Sequence, residues 1–226
     1  MSAGDGAAPA CWALLVRHGA TRGNLRRAYV GRGTDEPLSG QGQAQASQAS
    51  AALAKLLAGR GLATPSRVYV SPMLRARQTA SAMLPEAAQV VVDGLAEMDF
   101  GAFEGRTADE MADDVRYRSW VEGMCEGACP EGESRASFCE RSRKAFLDVL
   151  HETRDERHGE GERVVPLFVH GGTIMAVMER FGRPERDYYA WHVPNCGGYL
   201  ARVRWDGEVP ELVDPVELGA RVEDPS

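Results

Sequence analysis

Residues 12–21 read Trp12-Ala13-Leu14-Leu15-Val16-Arg17-His18-Gly19-Ala20-Thr21, an unbroken apolar run that ends in a cation, an imidazole and a glycine. An uninterrupted apolar stretch of strand length is buried on both faces, as inside a parallel sheet, whereas a half-solvated strand alternates. The arrangement recurs. Arg67 to Val70 is a second short strand, leading into Ser71-Pro72-Met73-Leu74-Arg75, and Val164 to Val169 is another, leading into His170-Gly171-Gly172-Thr173. Helices fall between the strands. Ser39 is the candidate N-cap of one that runs to Leu57, with Leu53, Leu56 and Leu57 on its buried stripe and Gly59 and Gly61 beyond its end. Met73 to Leu84 reads as a second, ending before Pro85, and Thr173 to Phe181 as one behind the late strand.

Val90 to Val92 reads as a third strand, and Tyr199 to Trp205 alternates apolar and charged residues as an edge strand would. Residues 107–157 are helical in composition but broken by Gly123, Gly127, Pro130 and Gly132, which predicts two helices joined by a loop; residues 104–160 are the candidate lid. The acidic tail after Asp214 is expected to fray, making residues 1–10 and 215–226 flexible ends of a single domain, 1–226. Alternating strands and helices predict an α/β fold, a three-layer sandwich with a mostly parallel central sheet, helices on both faces and a helical lid insertion.

The 226 residues, 43% hydrophobic and 26% charged, are long enough to bury a sizeable core. A net charge of −7 provides no overall positive field, so neither nucleic acid nor an anionic membrane surface is an expected partner. No apolar run approaches the roughly 20 residues of a membrane helix. The opening residues lack a basic segment, and the expected location is cytoplasmic. Five irregularly spaced cysteines suit a reducing compartment; Cys125 and Cys129 stand four apart with neither a second pair nor a nearby histidine to complete a zinc site.

The three polar clusters all follow strands, so in a parallel sheet they share the carboxyl edge, where ligands bind. Together they supply two imidazoles and two guanidiniums, and the segment from His170 to Thr173 opens a helix whose free amides favour an anion. Arg17 and Arg75 carry planar forks that match phosphate oxygens two at a time.

These residues resemble the histidine phosphatase superfamily, also called phosphoglycerate mutase-like, from Leu14 to about Gly198. The resemblance rests on Leu14 to Thr21, Asn24, Pro37-Leu38-Ser39 with Gly42 and Gln45, Ser71 to Ala80, Glu97-Met98-Asp99-Phe100-Gly101-Ala102-Phe103-Glu104-Gly105, Gly132-Glu133-Ser134 and Val169 to Gly172. It implies that His18 is the nucleophile and becomes phosphohistidine, that Glu97 donates the proton, and that Arg17, Arg75 and His170 hold the phosphoryl oxygens with Thr21, Asn24 and the amide of Gly171. It implies no metal and no cofactor, a small phosphomonoester as substrate, and leaves room for a homodimer. Asp99 and Glu104 are nearby acids that could be mistaken for Glu97.

Gly23 before Asn24, and Met98-Asp99-Phe100-Gly101 after Glu97, resemble the phosphatase branch, including broad-specificity and α-ribazole 5′-phosphate phosphatases; phosphoglycerate mutase and a non-catalytic phospholigand-binding module are the alternatives. Tyr117, Trp120, Met124 and Phe138 read as lid packing first and substrate contacts second. His151 and His158 read as part of a solvated helix face, and His192 as structural, on a loop that could border the crevice. Asn195-Cys196-Gly197-Gly198 precedes the last strand with no assigned role.

Overall fold

The structure, a computed structural model, describes residues 11–154 and 162–219. β1 (Cys11–Arg17) leads through the short helix α1 (Arg22–Leu25) and the long helix α2 (Gly40–Ala58) to β2 (Arg67–Val70), and through α3 (Leu74–Met83) to β3 (Ala88–Val91). Then come α4 (Val115–Glu122), α5 (Arg135–Arg154), β4 (Arg163–Val169), α6 (Gly171–Phe181), β5 (Gly198–Asp206) and β6 (Val209–Leu218). The sheet order is β3-β2-β4-β1-β5-β6, parallel from β3 to β1 and antiparallel at β5 and β6.

The unbroken apolar run of β1 has the predicted cause. Leu14 and Val16 point to one face and pack with Leu53 and Leu57 of α2 and Met83 of α3. Ala13 and Leu15 point to the other, into a cluster with Phe146, Val149 and Leu150 of α5 and Ile174 and Val177 of α6. The Ser39 side chain accepts from the amide of Gly42, so α2 begins at the expected cap. Its first turn also approaches the chain after β1 very closely: a Cβ on Gly42 would stand 2.1 Å from the Ala20 carbonyl oxygen, which only glycine avoids.

β1 and β4 are adjacent, yet β1 is followed by α2 on one face and β4 by α6 on the other. Their carboxyl ends therefore flank a topological switch point, the crevice where open α/β sheets bind ligands.

Three expectations are corrected. β5 is not an edge strand: it lies between β1 and β6, and its alternation arises because Ala201 and Val203 face the core while Arg202 and Arg204 face solvent. The edge is β6, so residues 214–218 do not fray. Its signal was hidden by Pro210 and Pro215, which lack a ladder donor, and by a register shift where Asp214 takes a φ of +52°. The proposed lid is also narrower than 104–160, because Ala145, Phe146, Val149 and Leu150 of α5 belong to the main core. The part outside the sandwich is an aromatic cap around α4, in which Phe103, Tyr117, Trp120 and Phe138 are buried together and the Tyr29 and Tyr117 hydroxyls meet at 3.1 Å. Met124 stands apart, 66% exposed. Residues 1–10, His158 and 220–226 lie outside the described residues.

Leu167 of β4 is fully buried in the core shared with α5 and α6. Leu167→Ala should cost about 2–5 kcal/mol of unfolding free energy, read from urea denaturation; a loss under about 1 kcal/mol would mean that this face is loosely packed.

Candidate active site

Each loop beyond a parallel strand delivers its side chains to the crevice. Arg17 ends β1 and His18 follows, His170 follows β4, and Arg75 lies in the first turn of α3 beyond β2. The His18 and His170 rings meet edge to face with centroids 5.1 Å apart.

His18 is nearly inaccessible, and its Nδ1 stands 2.7 Å from the Gly19 carbonyl oxygen. A carbonyl can only accept, so Nδ1 carries the proton and Nε2 keeps its lone pair. Burial, then the Arg75 and Arg17 charges, hold the imidazole well below its ordinary protonation range. His18 is therefore a neutral base with a free nitrogen at pH 7. The loop behind it is tied down: the Gly19 amide donates to Thr79 Oγ1, the Ala20 amide to Gln45 Oε1, and Asn195 Nδ2 to the His18 carbonyl. The last bond supplies the role that the sequence left open for Asn195.

Arg17 is oriented by a 2.7 Å bond from Nη1 to the Val193 carbonyl, with His192 Nε2 3.3 Å from the same nitrogen. The loop of His192 thus borders the crevice. Arg75, fully buried, donates from Nη1 to the Thr34 carbonyl and from Nη2 to those of Val30 and Gly31. In both arginines Nε is buried without a partner, and so is Nδ1 of His170. Burial is the main influence lowering the proton affinity of each guanidinium, with the Glu97 carboxylate the first opposing one. Three buried nitrogens without partners around one imidazole form a donor set suited to the oxygens of an anion.

His170 is set by Ser71, whose Oγ lies 2.7 Å from Nε2 and accepts from the Met73 amide. The arrangement that uses the hydroxyl proton sends it to Nε2, leaving the imidazole proton on Nδ1 as a donor. Burial, then the charge of Arg75, keeps this ring neutral too. The sequence motif contained Ser71, but its partner was invisible because the two residues are far apart in the chain.

Glu97 joins from the segment after β3. Its Oε1 accepts from the Met98 amide at 3.0 Å and its Oε2 from the Gly172 amide at 3.3 Å. Burial raises its pKa above the ordinary carboxylate range, against the pull of the Met98 amide, Arg75, the Gly172 amide and Arg17. A Cβ on Gly172 would come within 2.6 Å of Glu97 Oε1, so this contact requires glycine. Gly171 opens α6 against the Arg17 guanidinium.

Thr21 and Asn24 bond to each other in the turn that opens α1. Thr21 is buried and caps α1: its Oγ1 accepts from the Asn24 amide, while its own amide donates to Asn24 Oδ1. Thr21 therefore shapes the loop, and Asn24 keeps only its Nδ2 amide for a ligand. Glu104 has partners of its own: its carboxylate accepts from the Gly31, Gly33 and Phe100 amides and from Thr34 Oγ1. Asp99 accepts from the Gly101 amide. The five cysteines are free thiols, and among the described residues no group of His, Cys, Asp and Glu could hold a metal ion. No described helix is long and apolar enough to cross a membrane.

The model of the histidine phosphatase superfamily (branch 1) matches residues 13–216. The chain belongs to this superfamily. A Klebsiella pneumoniae relative, probable phosphoglycerate mutase GpmB, is 33% identical over 169 residues, 73% of this chain and 71% of that protein. The crystal structure of phosphoglycerate mutase from Thermus thermophilus is 28% identical, with a TM-score of 0.61 over 93% of this chain and 99% of that one. The α-ribazole phosphatase of Shigella flexneri shares the fold at 20% identity, with a TM-score of 0.70 over 89% of this chain and 94% of its own. Members of the superfamily are phosphatases and mutases, and the phosphoglycerate mutase-like fold expected from the sequence is the one observed.

The neutral histidine pair has a measurable consequence. Unfolded, both imidazoles take up protons as pH falls below about 6.5, while in the fold they resist. The unfolded chain then binds more protons, so stability falls with pH, by up to about 1.4 kcal/mol per pH unit for each histidine. Urea unfolding at pH 7 and 5.5 should show this loss, and inorganic phosphate should reduce it by compensating the cations. A loss that phosphate leaves unchanged would contradict the anion cradle.

Proposed function

We propose that this chain is a phosphomonoester hydrolase that works without a metal, passing the phosphoryl group of a small phosphorylated metabolite to His18 Nε2 and then to water. The observation that carries the reading is the 2.7 Å bond from His18 Nδ1 to the Gly19 carbonyl. It directs the lone pair to Nε2, and it strengthens when phosphorylation makes the ring cationic, because the donor is then charged. Arg17, Arg75 and the His170 Nδ1 donor take the equatorial oxygens, where charge accumulates in phosphoryl transfer.

The protons balance through Glu97. Nε2 bonds to phosphorus as the ester oxygen departs, and protonated Glu97 gives its proton to that alkoxide. The resulting carboxylate then takes a proton from the water that attacks phosphohistidine, releasing inorganic phosphate and restoring both residues. Two inversions at phosphorus give overall retention. A bound phosphate dianion pushes the Glu97 proton affinity further up, in the direction burial already favours.

The similarity to GpmB and to the Thermus mutase supports a second reading, transfer of the phosphoryl group between positions of a phosphoglycerate. Hydrolysis is preferred because Gly23 precedes Asn24 and Met98-Asp99-Phe100-Gly101 follows Glu97. The expected site of action is the cytoplasm.

Phosphate release from a panel of phosphomonoesters in EDTA, with 3-phosphoglycerate and α-ribazole phosphate included, tests the reading. His18→Ala should abolish turnover and the acid-labile phosphoenzyme; labelled phosphate still trapped on the variant would move the nucleophile elsewhere. Glu97→Gln should lower kcat/KM, which reports phosphoenzyme formation, by about 100-fold or more for alkyl phosphates but far less for p-nitrophenyl phosphate, since that leaving group needs no proton. Isomerised phosphoglycerate without phosphate release would favour the mutase.

A further inference from the structure

Among the described residues beyond the phosphate cradle, Arg141, in the first half of α5, is bonded to several segments at once. Its Nη1 donates to the carbonyl oxygens of Gly94 at 2.9 Å and Ala96 at 3.0 Å, and its Nη2 reaches that of Glu97 at 3.4 Å. It also grips Glu133 by two bonds, Nε to Oε1 at 3.0 Å and Nη2 to Oε2 at 2.8 Å. Glu133 continues the chain of contacts: its Oε2 accepts from the Asp99 amide at 3.0 Å, and its own amide donates to the Asp99 carbonyl at 2.9 Å. The backbone is thereby held at positions 94, 96, 97 and 99, on both sides of Glu97. The same guanidinium lies over the Phe138 ring, 5.4 Å from its centroid. Phe138 in turn packs where a Cβ on Gly172 would stand 3.0 Å away, and the Gly172 amide holds Glu97 Oε2.

We propose that Arg141 is a positioning residue for Glu97 and that Glu133 is the counter-charge that lets a guanidinium do this without drawing the proton off Glu97. The proposal rests on the reading of Glu97 as proton donor. The segment from Gly94 to Asp99 has no ladder partners of its own, being a short 3-10 turn followed by extended chain, so its carbonyls need outside donors. One planar five-donor fork meets several of them at once, which a lysine ammonium cannot. An unpaired guanidinium bonded to the Glu97 main-chain carbonyl would, by its charge, favour the carboxylate form of Glu97 and lower its proton affinity. Glu133 prevents that only while ionised. Burial pushes its carboxyl up, but Arg141 and the Asp99 amide outweigh this and hold it below the ordinary range.

The test compares wild type, Arg141→Lys, Glu133→Gln and Glu97→Gln on β-glycerol phosphate and p-nitrophenyl phosphate across pH, with thermal melting alongside. Arg141→Lys should lose about tenfold or more in kcat/KM, which reports phosphoenzyme formation, on β-glycerol phosphate and stay within about threefold on p-nitrophenyl phosphate. Equal losses on both esters with an unmoved pH profile would reduce Arg141 to a structural role. Glu133→Gln keeps the guanidinium but exposes its charge to Glu97. The falling limb of activity on β-glycerol phosphate, where Glu97 loses its proton, should then move to lower pH. An unmoved limb would overturn the counter-charge.

Titration of the Glu97 carboxyl by 13C NMR in glutamate-labelled protein, assigned with Glu97→Gln, gives the same comparison without turnover. It decides the matter should Arg141→Lys fail to fold or wild type hydrolyse neither ester. Failure of the underlying reading is seen separately, as a Glu97→Gln variant that lowers kcat/KM equally on both esters.

Discussion

Everything in this fold is organised around two guanidiniums held close to two neutral imidazoles at the end of a parallel sheet. Arg17 and Arg75 are cations taken out of most of their water, and an isolated buried cation is costly. The surrounding chain answers with carbonyl oxygens from Val193, Thr34, Gly31 and Val30, which solvate the Nη groups while leaving each Nε unmatched. Burial, and then the field that remains, lowers the proton affinity of His18 and His170, so the cations proposed to hold a phosphate also favour the neutral form of the proposed nucleophile.

That constraint explains why so much of the chain outside the crevice consists of ties to loops. Glu104 gathers the amides of Gly31 and Gly33, fixing the same turn whose carbonyls hold Arg75. Thr79 accepts from Gly19 and donates to the Arg75 carbonyl, connecting the loop after β1 to α3. Asn195 anchors the His18 carbonyl from the chain before β5. Glycines serve the same end by permitting contact: a side chain at Gly31 would lie 2.1 Å from the Met98 carbonyl oxygen, and one at Gly198 would lie 1.9 Å from that of Leu15. Loop segments that must meet this closely cannot be adjusted independently, which is why the ties form a network.

Most of the sandwich was legible in the sequence because burial on both faces leaves an unmistakable apolar run. β1, β2 and β4, α2 with its Ser39 cap, and the two-helix break between residues 107 and 157 follow from local pattern alone. The errors arose where one residue's local character had a non-local cause. Arg202 and Arg204 look like edge-strand residues, yet they face solvent on an interior strand; Pro210 and Pro215 look like strand breakers, yet they suit an edge. The α5 segment around Phe146 was assigned to a lid because glycines precede it, although its apolar stripe closes the main core. Tyr117, Trp120 and Phe138 follow the packing expectation, whereas exposed Met124 does not.

For the site, the order of residues along the chain was sufficient to nominate Arg17, His18, Arg75 and His170, because each lies at or just beyond the end of a strand where parallel strands deliver their loops, whereas Glu97 came from the family resemblance. Local sequence also carried the cap of α2. It could not show that Thr21 shapes a turn, that Ser71 selects the proton position on His170, or that Arg141 and Glu133 frame Glu97, since these are pairings between distant segments. Nor could it determine protonation, which depends on the water excluded and the charges brought near. Chain order settles which chemical groups the strand ends carry to the crevice, whereas their tautomers, charge states and supports come from the folded arrangement, because those are set by distances between residues that chain order leaves free.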